Sequence, residues 1–336
     1  MKRLFLPVAA ALLMLAAACS TDSFVLPIVE EDETLKDELY APDVLIDQVA
    51  LGVADKEQWH WDGKSLQRID MTGDRQGTVS FKYDDNGRVR KVTNTTDGER
   101  VINYTYADGK MRRYTVTVDG DQQASVLVTR NGEGRIGGAD ITFSGRYVLD
   151  MIERFRNGDN SLIAALPAGQ PAPEQPTAKD NQNFHLTLNW HDGNVASEVL
   201  SGIVQLEIDP QRVVEDLTLL PDELRAMVYL YLSTHNQLPV KISFNNIVTY
   251  TFDDNKNPYH GYLGDGITAR NLSKNNILTA RTNGNSRVML TIFGRDITLS
   301  NRQVEKEVSL TYLYNNQGYP VQIAGDGLTV ITYREQ

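Results

Sequence analysis

Apolar and polar residues alternate with a period of two along most of the chain beyond Trp59. In the run 101–106, for example, Ile102, Tyr104 and Tyr106 occupy every second position, and similar runs lie at 114–119, 185–191 and 308–314. β-Branched and aromatic residues dominate these runs. Because the side chains of a strand point alternately to its two faces, the pattern predicts half-buried β-strands.

A turn motif follows many of these runs, in which an aromatic residue precedes a short polar stretch that usually contains Asp-Gly or Asn-Gly. Such pairs tolerate the positive φ angles that tight turns between twisted antiparallel strands require. A meander of this kind protects its edges when it curls round on itself. We therefore predict an all-β fold, an antiparallel meander of hairpins that forms a barrel or a strongly curled sheet. The copies of the motif are Trp61–Lys64, Tyr83–Arg88, Tyr106–Lys110, Trp190–Asn194, Phe252–Pro258 and Tyr314–Pro320.

Two segments depart from the strand pattern, so one or two short helices are expected. Residues Arg146–Arg156 are compatible with a short amphipathic helix, and the four prolines of the following stretch, 166–182, indicate a loop. Residues Pro221–His235 open with proline and two acids and place Leu224 and Val228 at helical spacing. This segment predicts a helix that packs on the sheet or plugs one end of a barrel.

The N-terminus has the features of a bacterial lipoprotein signal peptide. Lys2 and Arg3 precede a short apolar stretch, Leu4–Leu15, which is too short for a membrane-spanning helix. Small residues then lead to Cys19, the only cysteine of the chain, as in a lipobox. We predict that residues 1–18 are removed and that Cys19 is lipidated, which would anchor the protein to a membrane.

Residues 19–48 are predicted to be an acidic flexible tether, since they contain the run Glu30–Glu33 and no continuous apolar face. A single β domain, 49–336, would follow. Ser20 in place of Asp after the cysteine favours the outer membrane, by analogy with lipoprotein sorting. The acidic stretch loosely resembles the surface-export signal of Bacteroidetes lipoproteins. The domain would therefore face the periplasm or the cell surface.

Composition narrows the class of protein but does not name an activity. The chain has 336 residues, of which 41% are hydrophobic, and this is ordinary for a globular protein that buries a core. Its net charge of −11 argues against a nucleic-acid partner, which would require a basic surface. A single cysteine excludes an intramolecular disulfide framework.

The repeated motif resembles the tyrosine-aspartate repeats of the RHS class, which wrap into shells of β-strands. The chain as a whole resembles a family of Bacteroidetes lipoproteins of unknown function with a porin-like fold, at the level of pattern over roughly residues 55–336. The stretches that carry this resemblance are Thr249–Tyr259, Ser273–Leu278 and Leu310–Pro320. It implies an antiparallel barrel or strongly curled sheet behind a lipid anchor, and it implies no catalytic residues.

The predicted strands do not have the character of membrane-spanning strands. Transmembrane strands need an outward apolar band about ten residues long. Here the runs are short and interrupted by charge, as in Phe81–Tyr83 and Arg112–Tyr114, and the C-terminus lacks a terminal aromatic residue. We therefore expect a domain outside the bilayer, attached by its lipid.

A search for catalytic and metal-binding motifs finds none. The five histidines lack the spacing of a helical zinc site, and Asp84–Gly87 lacks the alternating acids of a calcium loop. No nucleophile elbow, P-loop or dinucleotide fingerprint occurs. Asp253 and Asp254 are adjacent acids of a predicted turn, although paired carboxylates also serve glycoside hydrolases. We predict no metal and no cofactor.

Exposed aromatic side chains could serve as stacking surfaces for sugars or peptides. The candidates are Trp59, Trp61 and Trp190, whose period-two placement also suits burial. The leading hypothesis is a lipid-anchored outer-membrane protein that is not an enzyme and that binds a ligand, a glycan or an envelope protein. The alternatives are an envelope enzyme that acts on glycans through carboxylates, and a purely structural shell.

Overall fold

The computed structural model describes residues 40, 42–96, 98–145, 148, 177–178, 181–208, 221–325 and 327–334. These residues form one sheet of eighteen strands and two short helices. The first nine strands are β1 (Ile46–Leu51), β2 (Asp55–Asp62), β3 (Ser65–Thr72), β4 (Gly77–Tyr83), β5 (Val89–Asn94), β6 (Arg100–Ala107), β7 (Lys110–Val118), β8 (Asp121–Arg130) and β9 (Ile136–Phe143). The remaining elements are β10 (Thr177–Ala178), β11 (Gln182–His191), β12 (Asn194–Ile208), α1 (Asp222–Leu232), β13 (Leu238–Lys256), α2 (Ala269–Leu272), β14 (Asn275–Ile292), β15 (Arg295–Ser309), β16 (Thr311–Tyr314), β17 (Pro320–Ala324) and β18 (Leu328–Tyr333).

The strands form an antiparallel meander, which confirms the predicted fold class. Consecutive strands pair from β1 to β9, β9 pairs with β11, and the order continues to β15. At the other end, β16, β17 and β18 pair in turn, and β18 pairs with β1. The sheet is curled but not closed, because no ladder joins its end strands β15 and β16. These two strands follow one another in the chain with only Leu310 between them.

Two apolar clusters lie on the inner face of the curled sheet. The main core receives residues from β1 to β9 and from most of the later strands, and Trp59, Leu66 and Ile331 are among its most deeply buried members. The second core lies along the extended parts of β12, β13 and β14, where Val204, Val240 and Leu290 are buried. The long strands therefore reach from one core to the other.

Helix α1 confirms the prediction made for Pro221–His235. Pro221 directly precedes the helix, and Asp222 and Glu223 lie in its first turn, where carboxylates interact favourably with the helix dipole. Val228 is fully buried in the second core, with Leu224 packed beside it. The helix covers the second core because the extended sheet would otherwise expose that apolar face to water.

The other segment with a helical pattern, Arg146–Arg156, lies outside the described residues except for Val148, which is buried in the second core. The proline-rich stretch 166–182 is also largely outside them, although β10 and the start of β11 fall within it. The predicted signal peptide and residues 19–39 and 41 of the predicted tether, including Cys19, are likewise outside the described residues.

The tether was predicted to extend to residue 48, but strand β1 already begins at Ile46. Tyr40, the first described residue, already contacts the domain, because its ring is buried against Trp61 and Tyr262. Its hydroxyl donates a hydrogen bond of 2.8 Å to the carbonyl oxygen of Pro258. Tyr40 and the start of β1 lie within a stretch that is otherwise acidic. The composition of this stretch therefore places the boundary between tether and domain too far along the chain.

The motif Phe252–Pro258 does not form the predicted hairpin turn. Strand β13 continues to Lys256, and the return strand β14 begins only at Asn275. Residues 257–274, here called the plug, fold between them and bury Tyr262 and Leu263 in the main core. Pro258 has no backbone N–H with which to extend the ladder, so the strand ends just before it.

The aromatic residue that begins the motif copies at Tyr83 and Tyr106 forms a hydrogen bond to a neighbouring strand. The Tyr83 hydroxyl donates to the carbonyl oxygen of Leu66 at 2.6 Å, and the Tyr106 hydroxyl donates to that of Val89 at 2.8 Å. The guanidinium of Arg88, which follows the Asn-Gly of the motif, lies 4.6 Å from the centre of the Tyr106 ring. Each of these two tyrosines is therefore hydrogen-bonded to the start of the strand that follows the preceding copy of the motif.

Removal of the Tyr106 hydroxyl tests this hydrogen bond. We expect Tyr106→Phe to lower the free energy of unfolding by about 1 kcal/mol, since the Val89 carbonyl loses a partly buried hydrogen bond while the ring still packs. Urea denaturation measures the change. Tyr229→Phe is the matched control, because Tyr229 is 51% exposed on α1. Equal effects of the two substitutions would contradict the role assigned to the motif.

Candidate functional site

A belt of polar side chains separates the two cores on the inner face of the long strands. Inward-facing residues of β13 are apolar from Leu238 to Phe244, become polar at Asn246, and are apolar again at Val248. The neighbouring strands place buried polar residues at the same level. We call this group the polar belt; it consists of Glu198, Asn246, Thr282 and Ser286, together with the hydroxyl of Tyr250.

The register of the sheet brings these residues together. Asn246 pairs with Leu200 on β12 and with Gly284 on β14, which contributes no side chain at this point. Glu198 pairs with Val248, two positions from Asn246 on the same face. Diagonal neighbours on one face of an antiparallel sheet lie about 7–8 Å apart, within reach of polar side chains or of a small molecule between them.

Several polar atoms of the belt are buried without a partner. Asn246 is 1% exposed, and neither its amide nitrogen nor its amide oxygen forms a hydrogen bond. Ser286 is 2% exposed, and its hydroxyl also lacks a partner. A buried polar group in this state destabilises the fold by about 1–3 kcal/mol, and such groups are uncommon in native proteins. Three of the five such atoms among the described residues lie at this level, and the other two are the amide oxygens of Asn255 and Asn276 beside the plug. This grouping marks the belt as the candidate site.

Glu198 is the carboxylate of the belt and is only 8% exposed. Burial raises the pKa of its carboxyl group to about 7, and a hydrogen bond from the Tyr250 hydroxyl opposes that rise. No lysine or arginine in the described part of the chain contributes to this pKa. The carboxyl group therefore changes its charge near neutral pH.

The root of the plug holds a second group of polar residues, which are mostly bonded to one another. The side-chain amide of Asn194 donates to the amide oxygen of Asn275 at 3.0 Å, and its oxygen accepts a hydrogen bond from the backbone N–H of Asn275 at 2.9 Å. Asn257 donates to two backbone carbonyls of the plug, those of Arg270 and Ser273. These bonds hold the plug in shape, so we assign this group a structural role.

Three ionisable residues lie nearby, Asp265 and Arg270 in the plug and Glu57 on strand β2. The Trp59 indole donates to the carboxylate of Glu57 at 3.2 Å, and burial raises the pKa of Glu57. Arg270 lies 4.6 Å from the centre of the Tyr259 ring and 3.6 Å from the carboxylate of Asp265. Each of these groups already has a partner within the protein.

The three tryptophans predicted as stacking surfaces lie outside the polar belt. Trp59 is 1% exposed and packs on Trp61, with ring centres 6.0 Å apart. The indole N–H of Trp61 donates to the backbone oxygen of Ile46 at 2.7 Å. That of Trp190 donates to the backbone oxygen of Ile136 at 2.8 Å. Stacking of a ligand on Trp61 or Trp190, which are half-buried, stays a prediction.

The described residues contain no group of three histidine, cysteine, aspartate or glutamate side chains that could hold a metal ion. His185 and His191 pair separately with Asp140 at 2.7 Å and Asp192 at 3.3 Å. Asp253 lies at the root of the plug, where burial raises the pKa of its carboxyl group to about 6, and the Tyr314 hydroxyl is 3.4 Å away.

Comparisons with known proteins leave the function open. No family model matches the chain, and no curated protein matches it. Among solved structures it is similar to a porin-like protein from Bacteroides uniformis, at 11% sequence identity and a TM-score of 0.26, over 86% of this chain and 98% of that one. A TM-score of this size supports no argument about function. No helix among the described residues is both long and apolar enough to cross a membrane.

The polar belt was not among the sites predicted from the sequence, although one signal for it was present. Along β13, Asn246 interrupts an apolar stripe that otherwise runs from Leu238 to Tyr250 at every second position. A polar residue at an inward position of such a stripe indicates either a hydrogen-bonded network or a site. Its neighbours Glu198 and Ser286 are 48 and 40 positions away in the sequence, and only the strand register brings them close.

Glu198 should make stability depend on pH. Because its pKa is raised from 4.5 to about 7, the folded protein retains a proton that the unfolded chain releases between these values. Stability therefore falls as pH rises through this window, by about 3 kcal/mol in total. We expect Glu198→Gln to be more stable than wild type at pH 8 and to differ little at pH 5.

Urea denaturation at several pH values measures this effect. Asp253, whose pKa is raised to about 6, also lowers the stability as pH rises toward that value. The quantity to compare is therefore the difference in the free energy of unfolding between the variant and wild type at each pH. Glu223→Gln is the control, because Glu223 is exposed in the first turn of α1. An unchanged pH dependence in Glu198→Gln would show that the carboxyl group is not desolvated.

Proposed function

We propose that this chain is a lipid-anchored outer-membrane protein that binds a small polar ligand inside its curled sheet and catalyses no reaction. The observation that carries the proposal is the set of unpartnered buried atoms on Asn246 and Ser286. A ligand with donors and acceptors would satisfy these atoms and remove the cost of burying them. Small-molecule sites are characteristically apolar enclosures with a few oriented polar groups, which describes the belt between two apolar cores.

Binding accounts for the belt better than catalysis does. Hydrolysis of a glycan by carboxylates requires two such groups flanking the scissile bond, about 5–10 Å apart. Among the described residues of the belt, Glu198 is the single carboxylate. A purely structural shell is also a poor explanation, since an interior with only a structural role would satisfy its buried amides or replace them by apolar side chains.

The lipid anchor rests on the N-terminal sequence. Lys2 and Arg3, the apolar stretch and the small residues before Cys19 together fit removal of a lipoprotein signal and acylation of the cysteine. Ser20 favours the outer membrane, and the acidic residues that follow suit a tether on its periplasmic or outer side. A glycan fragment or an envelope protein is the broader class of partner available there.

Substitution of the cysteine tests the anchor. We expect Cys19→Ala to abolish incorporation of labelled palmitate and to release the protein into the soluble fraction, because the acyl chains are its attachment to the membrane. Ser20→Ala is the control, since it leaves the cysteine in place. Persistent membrane association together with palmitate labelling of Cys19→Ala would contradict lipidation at this residue.

Substitution of Asn246 tests the ligand site. Asn246→Leu keeps the approximate size of the side chain and replaces two unpartnered polar atoms by apolar ones. We expect the free energy of unfolding to rise by about 1–3 kcal/mol. We also expect loss of binding, measured by calorimetry with glycerol, glucose, glucosamine, serine and ethanolamine. At least one of these compounds should bind the wild-type protein.

Asn245→Leu is the matched control, because Asn245 is the adjacent residue of β13 and faces the solvent. It should retain binding and gain no stability. A loss of stability in Asn246→Leu, with no compound bound by wild type, would show that the Asn246 side chain has a structural partner and would overturn the proposed site.

A further inference from the structure

Among the side chains that the structure describes, no cation contributes to the pKa of Glu198, the carboxylate of the polar belt. Four strands surround Glu198 and contribute neutral side chains on its face. These side chains are Leu186 and Leu188 of β11, Leu200 of β12, Val248, Asn246 and Tyr250 of β13, and Thr282 of β14. On β15, Lys306 pairs with Thr282, and its side chain is exposed to solvent. Arg302 pairs with Ser286, and its side chain is outside the described part of the structure. The one hydrogen bond to the carboxyl group comes from the neutral hydroxyl of Tyr250.

A buried carboxylate without a nearby cation is unusual, because its hydration is lost and nothing replaces it. Native proteins place a lysine, an arginine or a metal ion against such a group, or keep it protonated. Asn246, whose side-chain amide has no partner, lies diagonally across from Glu198 on the same face, and the position opposite Asn246 on β14 is a glycine, Gly284. Among the described residues, the carboxylate that has no cation beside it and the amide that has no hydrogen-bond partner are therefore neighbours on one face of the sheet.

We propose that the polar belt binds a small organic ammonium ligand. The charged nitrogen would lie against the carboxylate of Glu198, and hydroxyl or carbonyl groups of the same ligand would bond to Asn246 and Ser286. The inference rests on the proposed function and narrows it, since ligand binding at the belt is required for both. A charge-assisted hydrogen bond to a desolvated carboxylate is among the stronger polar contacts in proteins, so the amine would dominate recognition.

The affinity for an ammonium ligand should depend on pH. An ammonium group stabilises the ionised form of Glu198, so binding displaces the proton that the empty site holds. The pKa of the unliganded carboxyl group is about 7. Affinity for the ammonium ligand should therefore increase about tenfold for each unit by which the pH rises toward this value, and it should level off above it. A neutral ligand of the same size would show no such rise.

Calorimetry with matched probes tests the inference on the wild-type protein. Ethanolamine and ethylene glycol differ in one group, as do glucosamine and glucose, and each pair is titrated at pH 5.5, 6.5 and 7.5, with potassium chloride as a further probe. We expect the ammonium member of at least one pair to bind at least tenfold more tightly at pH 7.5. Its affinity should fall about tenfold between pH 6.5 and 5.5.

Two variants complete the experiment. Glu198→Gln should lose the preference for the ammonium probe and its pH dependence, while circular dichroism confirms the fold; Glu223→Gln should bind as wild type does. Equal binding of the neutral and ammonium probes would overturn the ammonium inference and leave the proposed function standing. Binding of potassium as tight as that of the amines would also overturn it. Failure of every probe would overturn both proposals.

Discussion

The interior of the curled sheet must be filled, and the rest of the structure depends on how this is done. About eight strands form a barrel that their own side chains can fill, whereas larger barrels leave space inside. In this protein eighteen strands curl until β18 pairs with β1, and the plug enters the space that results. The Tyr104 hydroxyl donates to the backbone oxygen of Leu263 at 2.5 Å, so strand β6 is hydrogen-bonded directly to the plug. Dense packing of the main core follows from this arrangement.

The plug fills only part of the length of the long strands. Strands β13 and β14 are 19 and 18 residues long, and their distal ends form the second core under α1. Between the part filled by the plug and the part covered by α1 lies the polar belt, where Gly284 contributes no side chain. Among the described residues, the belt thus lies between the level of the main core, which the plug fills, and the level of the second core under α1.

The alternation of residues and the turn chemistry were sufficient to predict the strands and the meander, and helical spacing after Pro221 was sufficient to predict α1, because each depends on local pattern. The plug could not be predicted in this way, since Phe252–Pro258 begins with the same aromatic-Asp-Asp-Asn pattern as true turns such as Tyr83–Arg88. What distinguishes them is tertiary: Tyr262 packs against Trp59 and Phe81, which lie far away in sequence. The belt was missed for a similar reason, because Glu198, Asn246 and Ser286 meet only through the strand register.

A buried polar residue can also be retained because it fixes the register of a structure, and this explanation has to be weighed against a ligand. Register is specified when a polar group finds its partner in one alignment only, so the native alignment must contain the hydrogen bond. Asn246 has no such bond to either neighbouring strand, and Ser286 has none either. The alternation of large apolar residues on β13 already fixes the alignment, since a shift by one residue would turn Phe244 and Val248 toward solvent. The amide contributes nothing to register that its apolar neighbours do not already provide, and a molecule bound at the belt is the explanation that uses both of its polar atoms.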